Sequence, residues 1–376
     1  MTRFRTSSLL SSICVILLLA GCGGGSSGPN LGDWTLTTDE LTLTKDLQVS
    51  ESEAFYFGRI FDLDVTSEGQ MVVADWDAKN IKVLRPDGTL LDTLGREGEG
   101  PGEFQQLRSV QVARGDSIYA YDPRRSRLTV FAPPPSLTLA RTLTISREEG
   151  FAGQVHVLED RLLGAFGSGV SPEDGVRRPA PDPWRWINAS GTPGDTVMMA
   201  RQRKRALEST NGRIRIRPIP FARRTQTAVG PQSRLYYGWT DSLRIAAQAP
   251  DGTSEAVASV PTEPIPVQEA ERDSALTHLD GEMKGMLASA LPDTKPAFTD
   301  LIVADTGRLW VERPPKKPGT ETVSWWVLNP ESKTIHEVQL PAEVTLEAVR
   351  NGKAYGTTET EMGAPAVVRY RIDSSS

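Results

Sequence analysis

Apolar and polar residues alternate along most of the chain in short runs that Gly, Asp and Pro interrupt, a pattern of half-buried strands joined by tight turns. IFDLDVTSEGQMVVAD, residues 60–75, shows it plainly: an alternating strand, a turn at Glu-Gly, then a wholly apolar strand. LRSVQVARGDSIYAYD, residues 107–122, overlays it without a gap at an offset of 47 residues. The register carries into the next strand, where Ile81, Val83, Leu84 and Pro86 meet Leu128, Val130, Phe131 and Pro133. Each unit reads as a succession of four strands. Weaker copies start near residues 154, 224, 298 and 345, which makes six starts in all.

Units of this length with Asp and Gly turns resemble NHL-type blades of a β-propeller, most clearly in GQMVVADWDAKNIKVLRPDG, residues 69–88. The resemblance runs over residues 34–373, strong in the first two units and weak in the third and sixth. It is closest to the six-bladed propeller lipoproteins of bacterial envelopes, a group whose functions are largely unassigned. It implies an all-β fold, a six-bladed β-propeller of four-stranded antiparallel blades, over residues 34–376. ELTLTKDLQV, residues 40–49, has no blade of its own, and the last repeat stops after one strand at 367–372. The first segment is expected to complete blade six and close the ring.

LGREGEGPGEF, residues 94–104, invites a phosphate-loop reading that its chemistry opposes. Glu97, Glu99 and Glu103 line it, no helix follows it, and the glycine spacing is not that of a dinucleotide loop. It is expected to cross from blade one to blade two, with Phe104 packed between them.

The amino terminus departs from the alternation. Arg3 and Arg5 precede an apolar run at 9–20, too short for a permanent bilayer span, which ends in Leu-Ala-Gly-Cys. That ending resembles the lipobox of bacterial lipoproteins, which implies a signal peptide at 1–21 and a lipidated Cys22. Acyl chains contribute about 0.8 kcal/mol per buried methylene, so such a cysteine anchors the chain durably. The Gly/Ser-rich segment 22–33 reads as a flexible linker, and Gly23 after the cysteine favours the outer membrane by resemblance to lipoprotein sorting. Removal of 1–21 takes the net charge from −6 to −8 and leaves one cysteine, hence no internal disulfide. An acidic chain disfavours nucleic acid as a partner, and nothing in the sequence requires a cofactor or an oligomer.

The repeat alignment points to polar positions on the innermost strands, which face a propeller's channel: Asp62 and Asp64, Ser109 and Gln111, His156, Gln226, Asp300 and Glu347. The four carboxylates either hold Ca²⁺ or Mg²⁺ or bind channel water and backbone amides. Asp75 and Asp122 recur at equivalent places and are expected to serve turns. With three histidines and neither H-E-x-x-H nor G-x-S-x-G, the chain lacks a zinc or serine-hydrolase signature.

Two insertions break the repeat. In 201–224 the cations Arg201, Arg203, Lys204, Arg205, Arg213, Arg215, Arg217, Arg223 and Arg224 face one acid, Glu208. This segment is expected to be a loop that meets an anionic partner or pairs with acidic blade edges. In 267–291, Leu276, Leu279, Met283, Met286, Leu287 and Ala290 fall at helical spacing between Pro266 and Pro292. This predicts a small helical insertion between blades four and five, packed over one face of the propeller. The reading that follows is a monomeric, membrane-tethered scaffold binding a protein, peptide or glycan. The alternative is a lactonase- or lyase-like enzyme with a divalent cation in the channel.

Overall fold

The structure, a computed structural model, describes residues 32–37, 41–159, 161–167, 175–177, 179–210, 213–279 and 281–374. Residues 1–21, expected to be a signal peptide, Cys22 and most of the expected linker at 22–33 lie outside the described residues, as do the side chains of Arg213 and of four other strand residues. Strands dominate the described residues, as six blades of four antiparallel strands, one of which a short parallel strand widens to five. Their innermost strands are Ile60–Val65, Ser109–Val112, Phe151–Leu158, Thr225–Gly230, Asp300–Val303 and Thr345–Arg350. These are the six starts found in the sequence. In blade six the outermost strand is Leu41–Val49, which pairs antiparallel with Pro365–Ser374. The two residues Thr35–Leu36 run parallel along the outer strand of blade five before that pairing begins.

Neighbouring blades pack face to face, and six apolar clusters fill the interfaces. Ala74, Ile81, Phe104, Leu107 and Val110 join blades one and two. Leu63, Val65 and Met71 meet Tyr355 and Val367 between blades one and six. Strand alternation explains how one blade serves two interfaces. Trp325 and Trp326 of blade five project to opposite sides, the first toward blade six and the second toward blade four.

The glycine-rich crossing behaves as expected. Phe104 is fully buried between blades one and two. Gly95 has φ +74°, and a Cβ there would collide with the Phe104 ring and the Gly102 carbonyl, so the turn needs a residue without one. The recurring aspartates are turn anchors. Asp75 accepts backbone N–H groups from Gly58, Arg59 and Ala78. Asp122 accepts those of Gln105, Gln106 and Arg125. Each donor in the second set stands one repeat after its counterpart in the first.

The insertions differ from expectation. Residues 205–218 are not a loop: Arg205–Thr210 and Arg213–Pro218 form an antiparallel hairpin. Gly175–Arg177, emerging from the middle of blade three, adds a third strand beside Arg205–Thr210. Helices α1 (Glu269–Leu276) and α2 (Gly281–Ala290) lie between blades four and five. Their apolar stripe does not cover the propeller face. Leu276, Leu279, Met283, Met286 and Leu287 gather around Ala206 of the hairpin, because a three-stranded sheet projecting from the blades has an apolar side of its own to bury. A buried Lys295–Glu271 ion pair of 2.5 Å fixes α1 to the chain entering blade five.

Candidate functional site

The six inner strands surround a funnel of about 870 Å³, and Asp62, Asp64, Ser109, Gln111, His156, Gln226, Asp300 and Glu347 all line it. Alternation in the inner strands places them there. Six of them, Asp62, Asp64, Gln111, His156, Gln226 and Asp300, take part in a bond from one blade to the next. Asp62 accepts Val110 N–H at 2.9 Å and Asp64 accepts Val112 N–H at 2.7 Å, while their second oxygens take the amides of Leu63 and Val65. One repeat later, Gln111 makes a paired bond to the backbone of Val157, donating at 2.7 Å and accepting at 2.9 Å. Gln226 donates to the Thr299 carbonyl and, at 3.2 Å, to Asp300. Asn351 donates its backbone N–H to Asp305 and its side-chain amide to the Ser67 carbonyl, and so links blades five, six and one.

These groups touch the water of the funnel, but protein surrounds them and hydration is incomplete. Burial therefore pushes the Asp62 carboxyl up to about 7, against the pull of the Val110 amide and with help from neighbouring Asp64. Asp64 and Asp300 are raised by the same cause. Glu347 stands well above the carboxylate range through burial and the nearby charges of Asp62 and Asp300. It is the extra residue where register shifts between Leu346 and Ala348, a bulge that turns its side chain inward. His156 is held neutral, its pKa lowered to about 4 by burial. Its Nε2 lies 3.3 Å from Thr227 Oγ1, and its ring stacks on Trp184.

Chemically, the funnel holds carboxyls raised by burial and a poorly basic histidine. Among the described residues no three His, Cys, Asp or Glu side chains group closely enough to hold a metal ion. Both oxygens of Asp62 and of Asp64 face amides, an arrangement unlike a Ca²⁺ cage, which needs six to eight convergent oxygens.

The basic segment is divided by the fold. Arg223 donates to the carbonyl and hydroxyl of Thr294, and Arg224 to the Thr299 carbonyl, so both hold the base of the hairpin to blade five. Arg205 donates to Gln202. Arg203 has its pKa lowered by burial and by the charges of Arg224 and Arg205, which places three guanidiniums close together. Arg215 faces Glu208 across the hairpin at 3.5 Å, an ion pair too long to satisfy the buried Glu208 Oε2 by hydrogen bonding. Arg201, Lys204, Arg215 and Arg217 are exposed, and the Arg201 guanidinium lies over Trp239 at 5.7 Å.

Two features escaped the sequence reading. Phe61 is the extra residue of a bulge in blade one; it is 39% exposed and stacks on Trp76 at 5.0 Å with Arg108 over its other side. No periodic signal marks such a bulge. The second is a cleft of about 400 Å³ between blades three and four, beside Arg201. Its signal was present in RIAAQ and SEAVAS, where the floor residues Ala246 and Ala256 stand at the places that Lys82 and Thr93 hold in blade one.

Comparison with known proteins supports the architecture. Residues 47–132 match the model of the DUF5128 family, described as a 6-bladed β-propeller. No curated protein matches the chain. Among solved structures, a protein from Bacteroides fragilis NCTC 9343 thought to be exported is similar at 12% identity, with a TM-score of 0.53 over 89% of this chain and 95% of that one. A member of the DUF4221 family from Bacteroides vulgatus ATCC 8482 is similar at 11% identity, with a TM-score of 0.52 over 90% and 100% of the two chains. At such identities the likeness extends to the fold alone. By its six sheets of four antiparallel strands, one widened to five, its interlocked inner strands and these likenesses, the chain is a six-bladed β-propeller.

Proposed function

We propose that this propeller is a binding protein of the bacterial envelope, lipid-anchored through Cys22, that engages an acidic protein, peptide or glycan through its basic hairpin. The observation that carries this reading is the hairpin itself. It departs from the repeat, two helices brace its inner side, and Arg201, Lys204, Arg215 and Arg217 remain exposed in a chain of net charge −6. Structure built to hold cations outward is suited to an anionic surface, where guanidinium groups give paired, charge-assisted bonds. The funnel contributes rigidity, since its polar groups are largely occupied in joining blades. No cofactor enters this function. No helix among the described residues is long and apolar enough to cross a membrane.

The test is equilibrium binding of the purified chain to lipopolysaccharide, to a carboxylated glycan and to polyglutamate, at low and high salt. Reversing three exposed charges, Lys204→Glu, Arg215→Glu and Arg217→Glu, is expected to weaken binding about tenfold or more and to flatten its salt dependence. Unchanged affinity in that variant would remove the hairpin from the account.

A lyase- or hydrolase-like alternative draws on one observation, two neighbouring funnel carboxyls, Asp62 pushed up to about 7 and Glu347 raised by burial and by the Asp62 charge, a pair suited to proton transfer. Turnover of a lactone or ester that is lost in Asp62→Asn would favour it.

A further inference from the structure

The cleft between blades three and four belongs neither to the funnel nor to the exposed strand of the hairpin. Its floor is one rung of blade four, Tyr237 opposite Ala246 opposite Ala256, with Gly238 alongside. Met198 and Met199 of blade three form the facing wall, and Met199 is 56% exposed. Adjacent strands lie about 4.8 Å apart, so a floor reaching from Thr225 on the innermost strand to Ala256 on the outermost is about 14 Å long. Two cations border it, Arg201 over the Trp239 ring and the exposed Arg244, and among the described residues no acidic side chain lines it.

We infer that this cleft binds a free fatty-acid carboxylate, its hydrocarbon chain along the alanine floor and its headgroup between Arg201 and Arg244. Three features select that chemistry. The backbone groups that face one another across Tyr237, Ala246 and Ala256 are engaged in strand pairing, so a peptide laid over this face would find no free backbone partner there, whereas a hydrocarbon needs none. Methionine walls adapt to a flexible chain. The two guanidiniums supply charge-assisted bonds to a carboxylate at the mouth. The inference stands apart from the hairpin reading, since only Arg201 is shared and the apolar floor plays no part in binding a polyanion.

The experiment is a titration of the purified full-length chain with cis-parinaric acid, a fluorescent fatty acid, followed by displacement with dodecanoate, with dodecanol and with an uncharged apolar peptide. Saturable binding at one site is expected, with dodecanoate displacing about tenfold better than dodecanol. Replacing both Arg201 and Arg244 by Ala should remove that preference, and Ala256→Leu should abolish binding by filling the floor while melting is unchanged. Absence of saturable binding, equal displacement by dodecanol, stronger displacement by the peptide, or full binding by folded Ala256→Leu would each overturn the inference. Should Ala256→Leu fail to fold, the arginine variants decide, because both side chains are exposed.

Discussion

At the scale of single residues, the funnel carboxyls set a pH dependence whose sign can be worked out. Asp62 has an ordinary value of 3.8 and is held at about 7 in the fold, so the folded state binds more protons than the unfolded chain between those values. Its contribution to stability is complete below about 4 and is lost as pH rises through about 7. Asp64, Asp300, Glu312 and Glu347 are raised by burial and act in the same direction. His156 acts in the opposite one: its value falls from 6.5 to about 4, so its contribution grows with pH between those limits. The carboxyls outnumber it. The melting temperature is therefore expected to fall between about pH 5 and pH 8, and Asp62→Asn should flatten that slope. A melting temperature that rises steadily over the range, with a parallel curve for Asp62→Asn, would contradict this electrostatic picture.

At the scale of elements, the crossings between blades depend on two equivalent aspartates that differ in one partner. Lys82 donates to Asp75 at 2.8 Å inside the blade, and one repeat later its place is taken by Thr129, whose hydroxyl is buried without a hydrogen bond. Asp75→Ala orphans three amides and takes the carboxylate partner from a buried ammonium, leaving Lys82 only Asn80 as a side-chain acceptor, a loss of about 3–5 kcal/mol. Asp122→Ala orphans amides alone and should cost less, about 1–3 kcal/mol. Denaturant unfolding of the two variants checks the order, and equal losses would show that Lys82 adds nothing. These anchors were legible in the sequence because repetition exposed them, and alternation likewise marked the inner-strand polar residues. The hairpin was not legible. RIRIRP alternates as a strand should and pairs with its neighbour Arg205–Thr210, but the third strand, Gly175–Arg177, comes from within blade three, and pairing across such a distance leaves no local trace. The bulges at Phe61 and Glu347 stayed hidden for a related reason, since an extra residue shows only once the partner strand is in place.

At the scale of the whole molecule, repetition and its interruptions divide the work. Asp62 and Asp64 tie blade one to two, Gln111 two to three, His156 three to four, Gln226 four to five and Asn351 five, six and one, and the departures from the repeat, the hairpin and its two helices, carry charge outward from this body. The central claim is that the partner meets the hairpin and not the mouth of the funnel. The most direct measurement places a photo-crosslinking residue at Arg217 on the hairpin or at Asn351 on the funnel mouth, in the full chain in native envelopes. The account predicts a discrete adduct from position 217, diminished by high salt, and none from position 351. Adducts from 351 with none from 217 would contradict it and move the partner to the funnel.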